Sequence, residues 1–169
     1  MKIKALLRLS VLSLALLISS SIYADWGIFN SFVIIDQGAG NVYYDAASAT
    51  GNPDFQGFYF GNLTSASTFL LDGAEIQTFK DNNSGTSNVC GGDIYYRVYR
   101  SCDTPGSFLN LDLPFDISLG GNDQQWAETA GAINLLAGLE PGKYTLEIYI
   151  EAEGNQTNSS GCGEYKYVK

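Results

Sequence analysis

Histidine is absent from the 169 residues. That one count removes Ser-His-Asp and Cys-His catalysis, histidine-ligated zinc and copper sites, and imidazole acid-base chemistry. What remains for chemistry is 18 Asp and Glu, 11 Tyr, three Cys and a few lysines. A two-carboxylate glycosidase is conceivable, but no motif singles out a pair of acids. Nearly all of them fall in turns or on outward strand positions, where solubility explains them. The chain therefore reads as non-catalytic.

Calcium is the one cofactor for which the sequence leaves a place. "DNNSG", residues 81 to 85, and "GGND", residues 120 to 123, set oxygen-bearing side chains on glycine-bent loops, and a hard cation needs several such ligands together. Asp81, Asn83 and Asp123 are the candidate ligands, with Asp36 and Asp45 around "DQGAGN" a weaker set. Neither loop carries the full D-x-[DN]-x-[DN]-G spacing with a distal glutamate, and ordinary turn chemistry accounts for both.

Aromatic side chains offer a second kind of site. Tyr95, Tyr99 and Tyr149 fall on outward positions of two strand-like segments, and Trp126 lies in a Gly-Asn-Asp-Gln stretch. Flat rings beside polar groups suit stacking on a sugar or on a partner protein. Cross-strand tyrosines also stabilise a sheet without any ligand, by a few tenths to about 1 kcal/mol. Sequons stand at Asn62, Asn82, Asn155 and Asn158 and matter only where the cell glycosylates them.

The elements that must carry these residues are strands. Apolar, aromatic and β-branched runs cover 26–35, 41–44, 55–60, 68–71, 75–79, 93–100, 107–113, 133–136, 143–151 and 164–168. Gly, Asn, Asp, Ser and Pro clusters separate them, which predicts a single all-β antiparallel sandwich over residues 25–169. Only "DQQWAETAGA", residues 123 to 132, reads as a helical turn or two. In 144–151, Tyr144, Leu146, Ile148 and Ile150 share one face, while Thr145, Glu147, Tyr149 and Glu151 share the other, the period of a half-buried strand.

"LEPGKY", with Leu139, Pro141, Gly142 and Tyr144, resembles the tyrosine corner of fibronectin type III and related immunoglobulin-like domains, where a tyrosine opening strand F bonds back to upstream backbone. "DIYYRVYR" then resembles the neighbouring strand C, with Ile94, Tyr96 and Val98 inward and Tyr95, Arg97 and Tyr99 outward. The likeness spans about 60 residues, and the tryptophan usual on strand C is missing. The layout is also similar to sandwich regions of secreted Bacteroidota proteins, which implies a bacterial secreted or cell-surface module and no defined activity.

That resemblance bears on Cys90, Cys102 and Cys162. The strand between Cys90 and Cys102 is roughly 26 Å long at about 3.3 Å per residue, too far for a bond that needs Cα atoms within about 7 Å. If C and F are antiparallel neighbours, Cys90 and Cys162 meet at one edge and pair. Cys102 is then a free thiol or an intermolecular link, or it pairs with Cys162 under another strand order. A nucleophilic role for Cys102 lacks a histidine to activate it.

Lys2, Lys4 and Arg8, the apolar run to Ile18 and the small Ala24 predict a signal peptide over residues 1–24, too short in its apolar part to remain as a membrane span. Its removal leaves six Lys and Arg against 18 Asp and Glu, a formal charge of −12. Such a chain repels nucleic acid, and no integral membrane segment remains. The expected protein is a secreted, periplasmic or cell-surface module that binds a protein or glycan without catalysis. A carbohydrate-binding protein or small carboxylate-dependent glycosidase is the alternative.

Overall fold

The computed structural model describes residues 26–80, 87–155 and 162–168. The predicted leader, the candidate calcium ligands Asp81 and Asn83, and the sequons at Asn82 and Asn158 lie outside the described residues. Within them the chain forms β1 (Trp26–Asp36), β2 (Asn41–Asp45), β3 (Leu70–Lys80), β4 (Asn88–Arg100), β5 (Leu109–Leu113), β6 (Phe115–Gly120), β7 (Asp123–Glu128), β8 (Ile133–Asn134), β9 (Tyr144–Asn155) and β10 (Glu164–Val168). One sheet runs β2-β1-β3-β7-β6 with β8 also on β3, and the other runs β10-β9-β4-β5. All strand neighbours are antiparallel, and the fold is the expected all-β sandwich.

The core sits between the sheets. Val33, Ile35, Leu71 and Ile76 face it from the larger sheet, and Ile94, Tyr96, Ile148 and Ile150 from the smaller. Each buried aliphatic or aromatic side chain contributes about 1.5–3 kcal/mol relative to exposure, so this interface holds the two layers together. The central pair β4 and β9 is antiparallel, as expected, with Ile94 opposite Ile150 and Tyr96 opposite Ile148. The alternation expected for both strands is the one observed.

Four local expectations need correction. Residues 68–71 and 75–79 are not two strands, because Gly73 does not break β3 but sits at a bulge, with φ of 141°. A side chain there would collide with the Glu128 carbonyl, so a glycine lets two backbones meet. The segment 123–132 is not helical; β7 takes its first six residues, because the preceding turn closes a hairpin onto β6. Residues 55–60 form no strand; they fold as turn and coil and supply Phe55, Phe58 and Phe60 to an aromatic cluster. Finally, β6 was hidden in a stretch read as loop.

The "GGND" segment is that hairpin turn. Gly121 and Asn122 both have positive φ, 61° and 76°, between the paired Gly120 and Asp123. This is the geometry of a two-residue type I′ turn, and Gly and Asn are the residues that tolerate it. Asp123 accordingly opens strand β7.

At the other end, Cys90 and Cys162 form a disulfide with Cα atoms 6.3 Å apart, and Cys102 is free and exposed. The crosslink closes a loop 72 residues long, which in the chain-entropy picture adds about 4 kcal/mol. Across the molecule, the Tyr144 hydroxyl donates to the Glu140 carbonyl at 2.8 Å and accepts from Arg100 Nε at 3.2 Å. The tyrosine therefore ties the 140–143 turn to the start of β9.

Candidate functional site

Because side chains alternate along a strand, β4 and β9 each send one set of residues to the core and the other to the outer face of the smaller sheet. Their register stacks the outward sets in rows: Tyr99 with Thr145, Arg97 with Glu147, Tyr95 with Tyr149, and Asp93 with Glu151. β5 extends two of these rows, placing Asn110 opposite Tyr95 and Asp112 opposite Asp93. On the far side, β10 sets Tyr165 against Glu153.

The upper part of this face is internally satisfied. Arg97 donates from Nε and Nη2 to Glu147 Oε2 at 2.8 and 2.6 Å, and from Nη1 to the Gly106 carbonyl at 2.8 Å. Its guanidinium carbon lies 4.1 Å from the centre of the Phe108 ring, and 5.6 Å from that of Tyr99. Phe108 in turn meets Tyr149 edge-on, with centroids 4.9 Å apart. The rings of Tyr95 and Tyr149 lie nearly parallel, 4.6 Å apart. These contacts make a continuous aromatic strip from Tyr99 to Tyr95.

The lower part is a line of carboxylates. Asp112, Asp93 and Glu151 stand directly opposite one another on β5, β4 and β9, with Glu153 two residues along β9 from Glu151. Burial pushes the Asp93 carboxyl above its ordinary range; the Asn110 amide pulls it down, while Asp112 and Glu153 push it further up. Burial and then the charges of Asp93 and Glu153 raise Glu151. The same acids act on the neighbouring ring: Tyr95 is pushed up to about 12 by burial, then by Glu151 and Asp93.

Of the aromatic residues singled out from the sequence, Tyr95, Tyr99 and Tyr149 therefore share one surface. Trp126 does not join them. It lies on β7 in the opposite sheet, 8% exposed and part of the core, with its ring edge-on to Phe115. Asp36 and Asp45 are also spoken for: Asp36 accepts from the backbone of Gly38 and Gly40. Asp45 accepts from Thr50 and Asn52. Burial raises the Asp45 carboxyl, but those donors outweigh it and hold the group below its usual value. Among the described residues, no three acids or cysteines converge as metal ligands do.

One aromatic surface was missed. Residues 46–69 cover an end of the core, and Tyr44, Phe58, Phe60 and Phe69 interlock there, with centroids 4.8 to 5.4 Å apart. Phe58 and Tyr59 at its crest are 41% and 74% exposed. The signal was present in "QGFYFGN", whose flanking glycines at positive φ mark a loop tip rather than a strand. With this geometry in hand, the chain was compared with known proteins: no family model, no curated protein and no solved structure matches it.

Proposed function

We propose that the protein is an exported, non-catalytic binding or adhesion module of the immunoglobulin or fibronectin III kind, acting on a protein or glycan at the cell surface through the outer face of its smaller sheet. The observation that carries this reading is the aromatic strip Tyr99, Phe108, Tyr149 and Tyr95, which no strand among the described residues covers. These half-buried rings, held on a sheet, lose little conformational entropy when a partner packs on them.

Three features support the family part. The order β1-β3-β7-β6 parallels A-B-E-D, and β10-β9-β4 parallels G-F-C. The Tyr144 hydroxyl makes the backward bond expected of a tyrosine corner. Export agrees with the Cys90–Cys162 bridge, since such bonds persist in oxidising compartments. A formal charge of −12 after removal of the leader argues against nucleic acid as the partner.

A carbohydrate-binding role is the second reading, favoured by Phe58 and Tyr59 at the crest of the 46–69 loop. The glycosidase version has less support, since no motif in the sequence singles out a pair of acids. Glycan arrays and pull-downs from cell-surface extracts with wild type, Tyr149→Ala and Tyr59→Ala separate these readings. Loss of a captured protein on Tyr149→Ala supports the sheet face. Loss of a glycan on Tyr59→Ala moves the site to the loop, and no retention by wild type in either format removes both.

A further inference from the structure

We propose that the free edge of β9 at residues 144–148 is a strand-addition site: it takes an extended segment of a partner protein, antiparallel to β9 and in line with β10, with an apolar side chain seated in the cleft beside it. The inference goes beyond the reading of the outer face, because it uses the backbone of one sheet edge and not the aromatic strip. β9 has two neighbours along only part of its length. β4 pairs with it from Tyr144 to Asn155, whereas β10 pairs only with residues 150–154.

The backbone of the remaining edge has its polar groups turned outward. Ser101 N donates to the Lys143 carbonyl at 3.0 Å, so these two form a hydrogen-bonded pair. Such pairs alternate along an antiparallel ladder, which commits the backbone of Thr145, Glu147 and Tyr149 to β4 and points the N–H and C=O groups of Leu146 and Ile148 the other way. No described strand meets them there, and no other hydrogen bond among the described residues reaches them. Ile148 is only 9% exposed, which sets its unpaired groups back from bulk water.

The cleft lies where a longer β10 would run. It is lined by Ile148 and Ile150 of β9, Val33 of β1, Ala46 and Phe55 of the 46–69 segment, and Val168 at the end of β10. Val168 stands opposite Ile150 and shares its inward face. Side chains alternate along a strand, so the residue of an added strand that stands opposite Ile148 points the same way, into this apolar space.

These features select the occupant. Donors and acceptors repeating at every second residue are matched by another peptide backbone, which main-chain pairing reads, while the cleft reads a side chain. A second folded copy is a poorer match: five residues at about 3.4 Å each make about 17 Å of seam, whereas a stable interface between folded proteins buries about 1,200 Å² or more. A single segment needs only the seam and the cleft. The formal charge of −12 left by removal of the leader selects against acidic segments.

The test is amide hydrogen exchange followed by NMR on the wild-type protein, alone and with a pool of heptapeptides in which Thr alternates with Val, Ile, Leu or Phe and Lys closes each end. Alone, at every protein concentration, the Leu146 and Ile148 amides should exchange fast while those of Thr145 and Glu147 are protected. The pool at about 1 mM should slow the first two at least tenfold. In this register the apolar residues of the peptide face β9 with their N–H groups, so methylating those nitrogens should abolish the effect and methylating the Thr nitrogens should leave it. Ala46→Leu, which puts bulk into the cleft, should weaken peptide binding about tenfold. No slowing by the pool, equal effects of the two methylations, or unchanged affinity in Ala46→Leu would overturn the proposal. So would Leu146 and Ile148 amides already protected in the protein alone: by its own chain if the protection is independent of concentration, by a second copy if it grows with concentration.

Discussion

Tyr95 on β4 and Tyr149 on β9 are directly opposed across the central strand pair of the smaller sheet, and their rings stack at 4.6 Å with planes 4° apart. The pair lies one row from Asp93 and Glu151, so burial and those charges both favour the protonated phenol, and Tyr95 is raised to about 12. Between the ordinary tyrosine value of 10.0 and that point, the unfolded chain has lost the proton that the folded chain keeps. Stability therefore falls as pH rises through this window. Spectrophotometric titration should show one tyrosine ionising last, and Tyr149→Ala should cost about 1 kcal/mol in denaturant unfolding. Loss of all phenolic protons below pH 11 in the folded protein would contradict the arrangement.

Glu151 gives the acidic counterpart. Its folded value is raised by burial and by Asp93 and Glu153, and Asp93 is raised as well. A raised carboxyl keeps its proton longer folded than unfolded, so these groups weaken the fold at neutral pH, and that penalty fades as pH falls through their folded values. Asp45 has the opposite sign: held low by Thr50 and Asn52, it stabilises above its unfolded value and that contribution is lost as pH falls through its folded one. Stability should thus peak in mild acid. Glu151→Gln keeps the shape and removes the charge, so it should stabilise by roughly 0.5 kcal/mol at pH 7 and flatten the rise toward mild acid. A melting temperature that drops on Glu151→Gln at pH 7 would mean that a hidden partner already neutralises the carboxylate.

The readable parts of this molecule are those where one periodicity acts alone. Along 144–151 the alternation of apolar and polar residues identified β9, and the same reasoning on "DIYYRVYR" put Tyr95 and Tyr149 on one surface. The disulfide followed from having those two strands side by side. Failures occurred where a residue's meaning depends on a partner distant in sequence. Gly73 looks like a break until Glu128 is known to press against it. Trp126 looks like a loop aromatic until the Gly121-Asn122 turn folds β7 back onto β6 and its ring meets Phe115. The line of acids was illegible for the same reason, since Asp93, Asp112 and Glu151 are brought together only by strand register.

Trp26 and Gly154 offer a test of how tightly the end of the sandwich is packed. The indole is fully buried, donates from Nε1 to Glu164 Oε2 at 3.3 Å, and lies beneath the ammonium of Lys166. It lies against Gly154 on β9, where an added Cβ would stand 2.5 Å from the Asn88 carbonyl and 2.7 Å from the indole ring. Neither neighbour can yield: one is backbone of the paired strand, the other a large ring closed in on all sides. Gly154→Ala should therefore cost about 2–3 kcal/mol, as overpacking does, and lower the melting temperature by roughly 5–10 °C. Gly91→Ala is the control in the same strand pair, because a Cβ there meets nothing within 4 Å. It should leave stability unchanged or improve it slightly by restricting the unfolded chain. Equal losses at the two glycines would point to a general need for backbone freedom along β4 and β9. A loss confined to Gly154 locates the constraint in the contact between Trp26 and the strand that carries Glu151.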